Sequence, residues 1–216
     1  MLNFPLSTTN GKRLTILCLG AHSDDIEIGC GGAILRLLSS YACHVHWVVF
    51  STGRVRRREA LHSAGLFLRG AKAKAVVTHS YRDGFLPYDG DKIKGDFEKL
   101  KSKIDPDLIF THYRDDLHQD HRLINQLTWN TFRNHFVLEY EIPKYDGDMG
   151  SPNVFLELKD SDRSDKVAFL RKAFASQSDK HWFSEDLFSA LMRLRGMEAR
   201  SSTGYAEAFY ARKIRL

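Results

Sequence analysis

The chain has 216 residues, 43% hydrophobic and 27% charged, which is enough apolar material for the core of one soluble domain. No stretch approaches the roughly 18 uncharged apolar residues of a spanning helix, so no transmembrane segment is expected. Thirty-two Lys and Arg against 27 Asp and Glu leave a net charge of +5. The cations are spread along the chain apart from one cluster at 54–58, without a zinc-finger, RRM or helix-turn-helix pattern. That excludes nucleic acid as a partner and suits an anionic small molecule better.

The N-terminal stretch MLNFPLSTTNGKR has neither a long apolar run nor an arginine-rich amphipathic pattern, which predicts a cytoplasmic location. After it, residues 13–20 (RLTILCLG), 43–50 (CHVHWVVF), 74–79 (KAVVTH) and 107–112 (DLIFTH) are apolar runs rich in β-branched and aromatic residues, and are predicted strands. Helical spacing occupies 31–41, 56–70 and 91–104, the last with Ile93, Phe97, Leu100 and Ile104 on one face. The first of these helices is expected to start near Gly29. The order βαβαβαβ with short connections predicts a mostly parallel sheet covered by helices on both faces. Beyond residue 135, strands are expected at 137–143, 153–159 and 205–214, and helices at 165–177 and 183–196. No repeat or linker divides the chain, so residues 1–216 are read as a single domain. Cys18, Cys30 and Cys43 lie in or beside buried segments without a C-x-x-C pair, and are read as small buried hydrophobes.

In such a sheet, sites collect at the carboxyl ends of the strands. AHSDD (21–25) follows the first strand and THYRDDLHQDHR (111–122) covers the end of the fourth, so both open onto one edge. A helix cap needs one short oxygen-bearing side chain, and Ser23 or either aspartate alone would serve. His22 with Asp24 and Asp25 exceeds that need, and adjacent carboxylates repel unless a cation lies between them or each has separate work. In the second stretch His118 and His121 stand three apart, so both can reach one point from the start of a helix. A catalytic zinc site takes three protein ligands and keeps one open position. His22 and Asp25 plus one of the distal histidines supply that set. Asp24 is then free to take a proton, the remaining histidine can donate to an oxyanion or a leaving group, and Asp120 can orient it.

Other polar residues have plainer readings. His112 and Asp115 taken singly belong to a polar loop, and His44, His46, His62, His79 and His135 are structural or solvent-facing. Asp83-Gly84 is a turn after the third strand, at the same edge, which makes Asp83 with Arg82 a candidate sugar contact. Gly29-Cys30-Gly31-Gly32 lacks the full G-x-G-x-x-G of a dinucleotide cradle, and the acidic pair before it would repel a pyrophosphate lacking a metal.

H-S-D-D with the following G-C-G-G, and D-x-H-x-D-H about 95 residues later, closely resemble the motifs of the PIG-L or LmbE-like zinc-dependent N-deacetylases, usually A-H-P-D-D and H-P-D-H. The likeness includes Arg56 and Glu59 in an R-x-x-E pattern and runs in order from residue 14 to about 125. The resemblance implies a Rossmann-like three-layer α/β/α fold and removal of acetate from an N-acetylglucosamine-type sugar or its conjugate. It implies His22, Asp25 and His121 as zinc ligands, Asp24 as general base and His118 as the group that stabilises the tetrahedral intermediate. Arg56 is the leading residue for holding the sugar. Ser23 and Gln119 replace the usual prolines, which alters loop stiffness but removes no ligand. EIP at 141–143 and GYAEAF at 204–209 resemble bacterial members and fix no substrate. Two other readings are a binding domain that kept the fold without turnover, and a nucleotide-dependent transferase on a Rossmann sheet.

Overall fold

The computed structural model describes residues 13–214. Four parallel strands form as their composition predicts: β1 (Leu14–Gly20), β2 (Cys43–Val49), β3 (Ala73–Thr78) and β4 (Leu108–His112). With β5 (Phe136–Tyr140), β6 (Val154–Glu157) and β7 (Ala206–Tyr210) they make one seven-stranded sheet in the order β3-β2-β1-β4-β5-β7-β6. Only β7 runs against its neighbours, pairing antiparallel with both β5 and β6.

Residues of β1 show why the sheet is filled on both faces. Ile16 and Cys18 enter one apolar cluster, Leu17 and Leu19 the other, and all four are fully buried. The first face carries α1 (Asp25–Ser40), α2 (Arg54–Phe67), α5 (Asp160–Ala173) and α6 (Glu185–Glu198). The second carries α3 (Gly90–Lys101) and α4 (Gln119–Thr131). The result is the expected three-layer α/β/α arrangement. Successive crossovers run outward from β1 through β2 to β3, and the chain then returns to place β4 on the other side of β1. The two motif-bearing loops therefore leave adjacent strands at the crevice where the winding reverses, the place where α/β sheets hold ligands.

The first helix starts at Asp25, four residues before the expected position, because Asp24 has already turned into helical conformation and its carbonyl accepts the Ile28 amide at 3.0 Å. It is broken at Cys30 (φ −144°, ψ 15°). The fifth helix starts at Asp160, ahead of the expected 165, where the Asp162 carboxylate accepts the Lys159 amide at 3.0 Å. The last strands are shorter than expected: 205–214 contracts to Ala206–Tyr210 and 153–159 to Val154–Glu157. All three cysteines are free and buried. No helix among the described residues is long and apolar enough to cross a membrane.

Glycine 29 has a packing reason: a Cβ there would lie 2.1 Å from a ring carbon of Tyr140, which is itself fully buried. Gly29→Ala is expected to cost about 1–3 kcal/mol as overpacking, read as a lower denaturation midpoint with an unchanged slope. A midpoint equal to wild type would show that Tyr140 moves freely.

Candidate active site

The end of β1 sets the first ligand candidate. The Ala21 amide donates to His112 Nε2 at 2.9 Å, and the His22 amide donates to Asp25 Oδ2 at 2.6 Å. This folds 21–25 into a tight turn with His22 and Asp25 on the same side. His22 Nδ1 lies 3.1 Å from His121 Nε2 and 3.4 Å from Asp25 Oδ2, and His121 Nε2 lies 3.6 Å from Asp25 Oδ1. Zinc bonds of about 2.0–2.1 Å in a tetrahedron put ligands roughly 3.3 Å apart, and each pair here is near that spacing, with His22 facing one oxygen of Asp25 and His121 the other. Donor atoms of His22, His118 and His121, of Asp25, His112 and His121, and of His22, Asp83 and Asp120 also lie within 4.8 Å of one another in each set. The donor set of two imidazoles and a carboxylate suits zinc.

The His121 and His22 rings are each held by a carboxylate behind them. His121 Nδ1 lies 2.9 Å from Asp116 Oδ2, and the other oxygen of Asp116 accepts the His118 amide at 2.8 Å. Lys144 Nζ adds an ion pair to Asp116 at 2.9 Å. Burial, then the neighbouring His112, press the His121 pKa down to about 4, so the ring is neutral and Nε2 keeps its lone pair toward the cluster. Against the upward push of burial, His121, His112 and Lys144 hold the Asp116 carboxyl well below its usual range. Asp116→Asn is expected to weaken zinc affinity by roughly 10–100-fold, as loss of an orienting carboxylate does. Chelator competition measures it, and an unchanged affinity would remove Asp116 from the site.

His22 Nε2 meets Asp120 Oδ2 at 3.2 Å and Asp83 Oδ1 at 3.1 Å. Burial disfavours charge on His22, yet Asp25, Asp120 and Asp83 raise its pKa well above that of an ordinary imidazole, which marks a field that attracts positive charge. Asp120 also accepts the Gly84 amide at 2.8 Å and the Leu86 amide at 3.1 Å. The sequence reading had Asp120 orient the spare histidine; its carboxylate instead turns to His22 and to the turn at 84–86. The cause is local: His118 is the N-cap of α4, and its Nδ1 accepts the Asp120 amide at 3.2 Å. That contact assigns the proton of His118 to Nε2, leaving this end as a donor.

Asp24 is 4% exposed. Its Oδ1 pairs with Arg56 Nη2 at 2.7 Å, and its Oδ2 is buried without a partner. Burial raises its pKa, Arg56 opposes the rise and Asp25 adds to it, so Asp24 is more basic than an ordinary aspartate. Burial would raise Asp25 also, but His121, His112 and His22 pull it well below the usual range. Two neighbouring carboxylates are thus driven apart in basicity. Arg56, expected at the sugar, is instead committed within the protein: it pairs with Asp24 and, at 2.9 Å, with Glu59, and stacks over Phe174 with 5.2 Å to the ring centre. Asp83 has a 79% exposed side chain whose other contact is His22, at the open side of the cluster.

Two further residues stand at the site: Asp116, which has no role by sequence alone, and His112, expected in a polar loop but found buried in a strand. His112, the fully buried last residue of β4, stacks on His121 with 3.9 Å between ring centres and sits 3.2 Å from both Asp25 Oδ2 and Tyr140 Oη. Its signal was position alone, at the carboxyl end of a strand beside β1. Asp116 stood inside the histidine-rich stretch without a distinguishing feature.

The chain is similar to several known proteins. An uncharacterized deacetylase, YaiS, of Escherichia coli (strain K12) is 29% identical over 183 residues, 80% of this chain and 97% of that protein. The N,N'-diacetylchitobiose deacetylase of Pyrococcus horikoshii is similar in structure with a TM-score of 0.72, 22% identity, and coverage of 96% of this chain and 87% of that one. GalB, the 4-carboxy-2-hydroxymuconate hydratase of Pseudomonas putida KT2440, has a TM-score of 0.73, 19% identity, and coverage of 94% and 98%. The family model described as PIG-L, GlcNAc-PI de-N-acetylase, matches residues 17–132, which span every residue of the cluster and more than half of the chain, and the protein belongs to that family.

Proposed function

We propose that the protein is a zinc-dependent N-deacetylase that hydrolyses the N-acetyl group of an N-acetylglucosamine-type sugar or its conjugate and releases acetate. The observation that carries this is the meeting of three ligand-spaced donors, His22, Asp25 and His121, with a raised-pKa carboxylate that has one oxygen free, Asp24. Zinc, when bound by those three, polarises the amide carbonyl and makes water more acidic. Asp24 takes a proton from the attacking water as the carbon–oxygen bond forms. His118, donating from Nε2, stabilises the negative charge that develops on the carbonyl oxygen. As the carbon–nitrogen bond breaks, the proton held by Asp24 passes to the nitrogen, and the carboxylic acid so formed gives its own proton to the released amine, so acetate and an ammonium sugar leave with atoms and charge balanced.

Asp120, through His22 Nε2, and Asp116, through His121 Nδ1, hold the ligand imidazoles in the tautomers such a site requires. Asp83, exposed beside His22, is the proposed contact for a sugar hydroxyl. Arg54, Arg57 and Arg58 are exposed on the first turns of α2, which starts from the same sheet edge and favours an anionic conjugate. The similarity to a chitobiose deacetylase supports the sugar class.

The test is acetate release from N-acetylglucosamine, N,N'-diacetylchitobiose, UDP-N-acetylglucosamine and an N-acetylglucosaminyl glycolipid, before and after chelation. Release that stops with chelator and returns with zinc is expected for at least one of them. Absence of acetate from all four with the zinc-loaded protein would overturn the sugar class, and release indifferent to chelation would overturn the metal.

A further inference from the structure

The run GCGG and the C-terminal GYAEAF have no part in the site described above, yet they meet. α1 has non-helical backbone at Cys30, a break of the kind that frees main-chain groups on either side, and groups on both sides take partners from outside the helix. On the far side, the Gly32 amide donates to Glu207 Oε1 at 2.9 Å and the Ala33 amide to Glu207 Oε2 at 2.6 Å. On the near side, the Ile28 carbonyl accepts Lys166 Nζ at 2.6 Å. Lys166 and Glu207 close the arrangement with an ion pair of 2.6 Å, and they are 2% and 4% exposed. Glu207 thus acts from β7 as an N-cap for the second half of α1, and Lys166 acts from α5 as a C-cap for its first turn.

A buried ion pair is a poor device for stability alone, because removing two charges from water offsets most of their attraction. Here the pair satisfies three buried main-chain groups that a straight helix would have satisfied itself. What the break achieves is a first turn whose direction is independent of the rest of α1. That turn begins with Asp24 and Asp25, and its Ile28 carbonyl, the group held by Lys166, belongs to the residue whose amide is bonded to the Asp24 carbonyl. The second half is fixed separately, with Gly31 against Phe67 and Gly32 against Leu158 and Glu207 too closely for a Cβ.

We infer that Lys166 and Glu207 are positioning residues for the metal site: they cap the two halves of the broken α1 and fix the direction in which its first turn presents Asp24 and Asp25. The glycines allow the close approach of Glu207 and Leu158, and the AEAF segment supplies the carboxylate. The inference rests on the ligand assignment proposed above only through its zinc readout.

Two variants test it. Lys166→Met keeps the apolar stem and the Glu207 cap and removes only the donor to Ile28. Glu207→Gln keeps the shape and one acceptor and removes the charge. Each is compared with wild type by apo melting, by zinc affinity in chelator competition and by hydrogen exchange at the Ile28 amide and along Ile34–Leu37. Expected for the folded protein is zinc affinity at least tenfold weaker and Ile28 exchange at least tenfold faster, with Ile34–Leu37 protected as in wild type. A lower melting temperature with zinc affinity within twofold of wild type and unchanged Ile28 exchange would reduce the pair to a structural role and overturn the inference. If Lys166→Met does not fold, Glu207→Gln carries the same measurements. If wild type itself binds no zinc, the ligand assignment fails, and the exchange at Ile28 alone decides whether the pair positions the turn.

Discussion

His121→Ala and His22→Ala are each expected to leave the protein with little zinc when it is purified without chelator and assayed for metal. Each removes one of three donors spaced 3.1–3.6 Å apart, and the two nearest other imidazoles each have a ring nitrogen already engaged. His112, the nearest imidazole to His121, already accepts the Ala21 amide at Nε2. His118 already accepts the Asp120 amide at Nδ1. A site reduced to two donors loses most of its affinity, because binding at neutral pH depends on the full set of deprotonated ligands. Loss of His121 has a second consequence: Asp116 and Asp25, both buried, each lose their contact with its ring. Near-stoichiometric zinc in both variants would mean that the metal lies elsewhere in the histidine cluster, and His22, Asp25 and His121 would lose their role together.

The parts of this arrangement that are legible in the sequence are those decided locally. β1 is apolar on both faces over a contiguous run, so its existence, and the exit of AHSDD from its carboxyl end, follow without knowledge of the rest. The same holds for the stretch after β4. What placed the two together was the alternation of strands and helices, and the adjacency of β1 and β4 follows from it only as one of several strand orders. The contacts that the sequence does not show have a shared cause. The R-x-x-E spacing pairs Arg56 with Glu59 on its own helix, but only the start of α1 at Asp25 brings Asp24 within 2.7 Å of it. Asp120 is one residue from His121 and two from His118, yet the cap geometry of α4 turns its carboxylate to His22, 98 positions earlier. The break in α1 depends on Lys166 and Glu207, 138 and 175 positions from their main-chain partners. Groups that act through distant partners carry no periodicity and no local composition by which to find them.

Asp24→Asn is expected to lower kcat by roughly 10²–10⁴-fold, the range for loss of a general base, while zinc occupancy stays near wild type. The amide is nearly the same shape, and its oxygen can still accept from Arg56, which keeps its second partner Glu59. What disappears is the basic oxygen. In the wild-type protein one Asp24 oxygen is taken by Arg56 and the other is buried and unpartnered, so the proton acceptor is one identifiable atom. Burial raises the pKa of this carboxyl against the pull of Arg56. Asp24 acts only when unprotonated, so kcat/KM should fall as pH drops through a value above the ordinary aspartate range. That acid limb should be missing from the residual activity of the Asn variant. KM should change little, because the lost interaction belongs to the transition state and not to the bound substrate. The contrast with His121→Ala is the informative result: one variant keeps the metal and loses the chemistry, the other loses the metal and with it the chemistry. If Asp24→Asn retained near-normal kcat with zinc bound, the division of labour between the adjacent aspartates would be wrong, and the free oxygen of Asp24 would need another purpose.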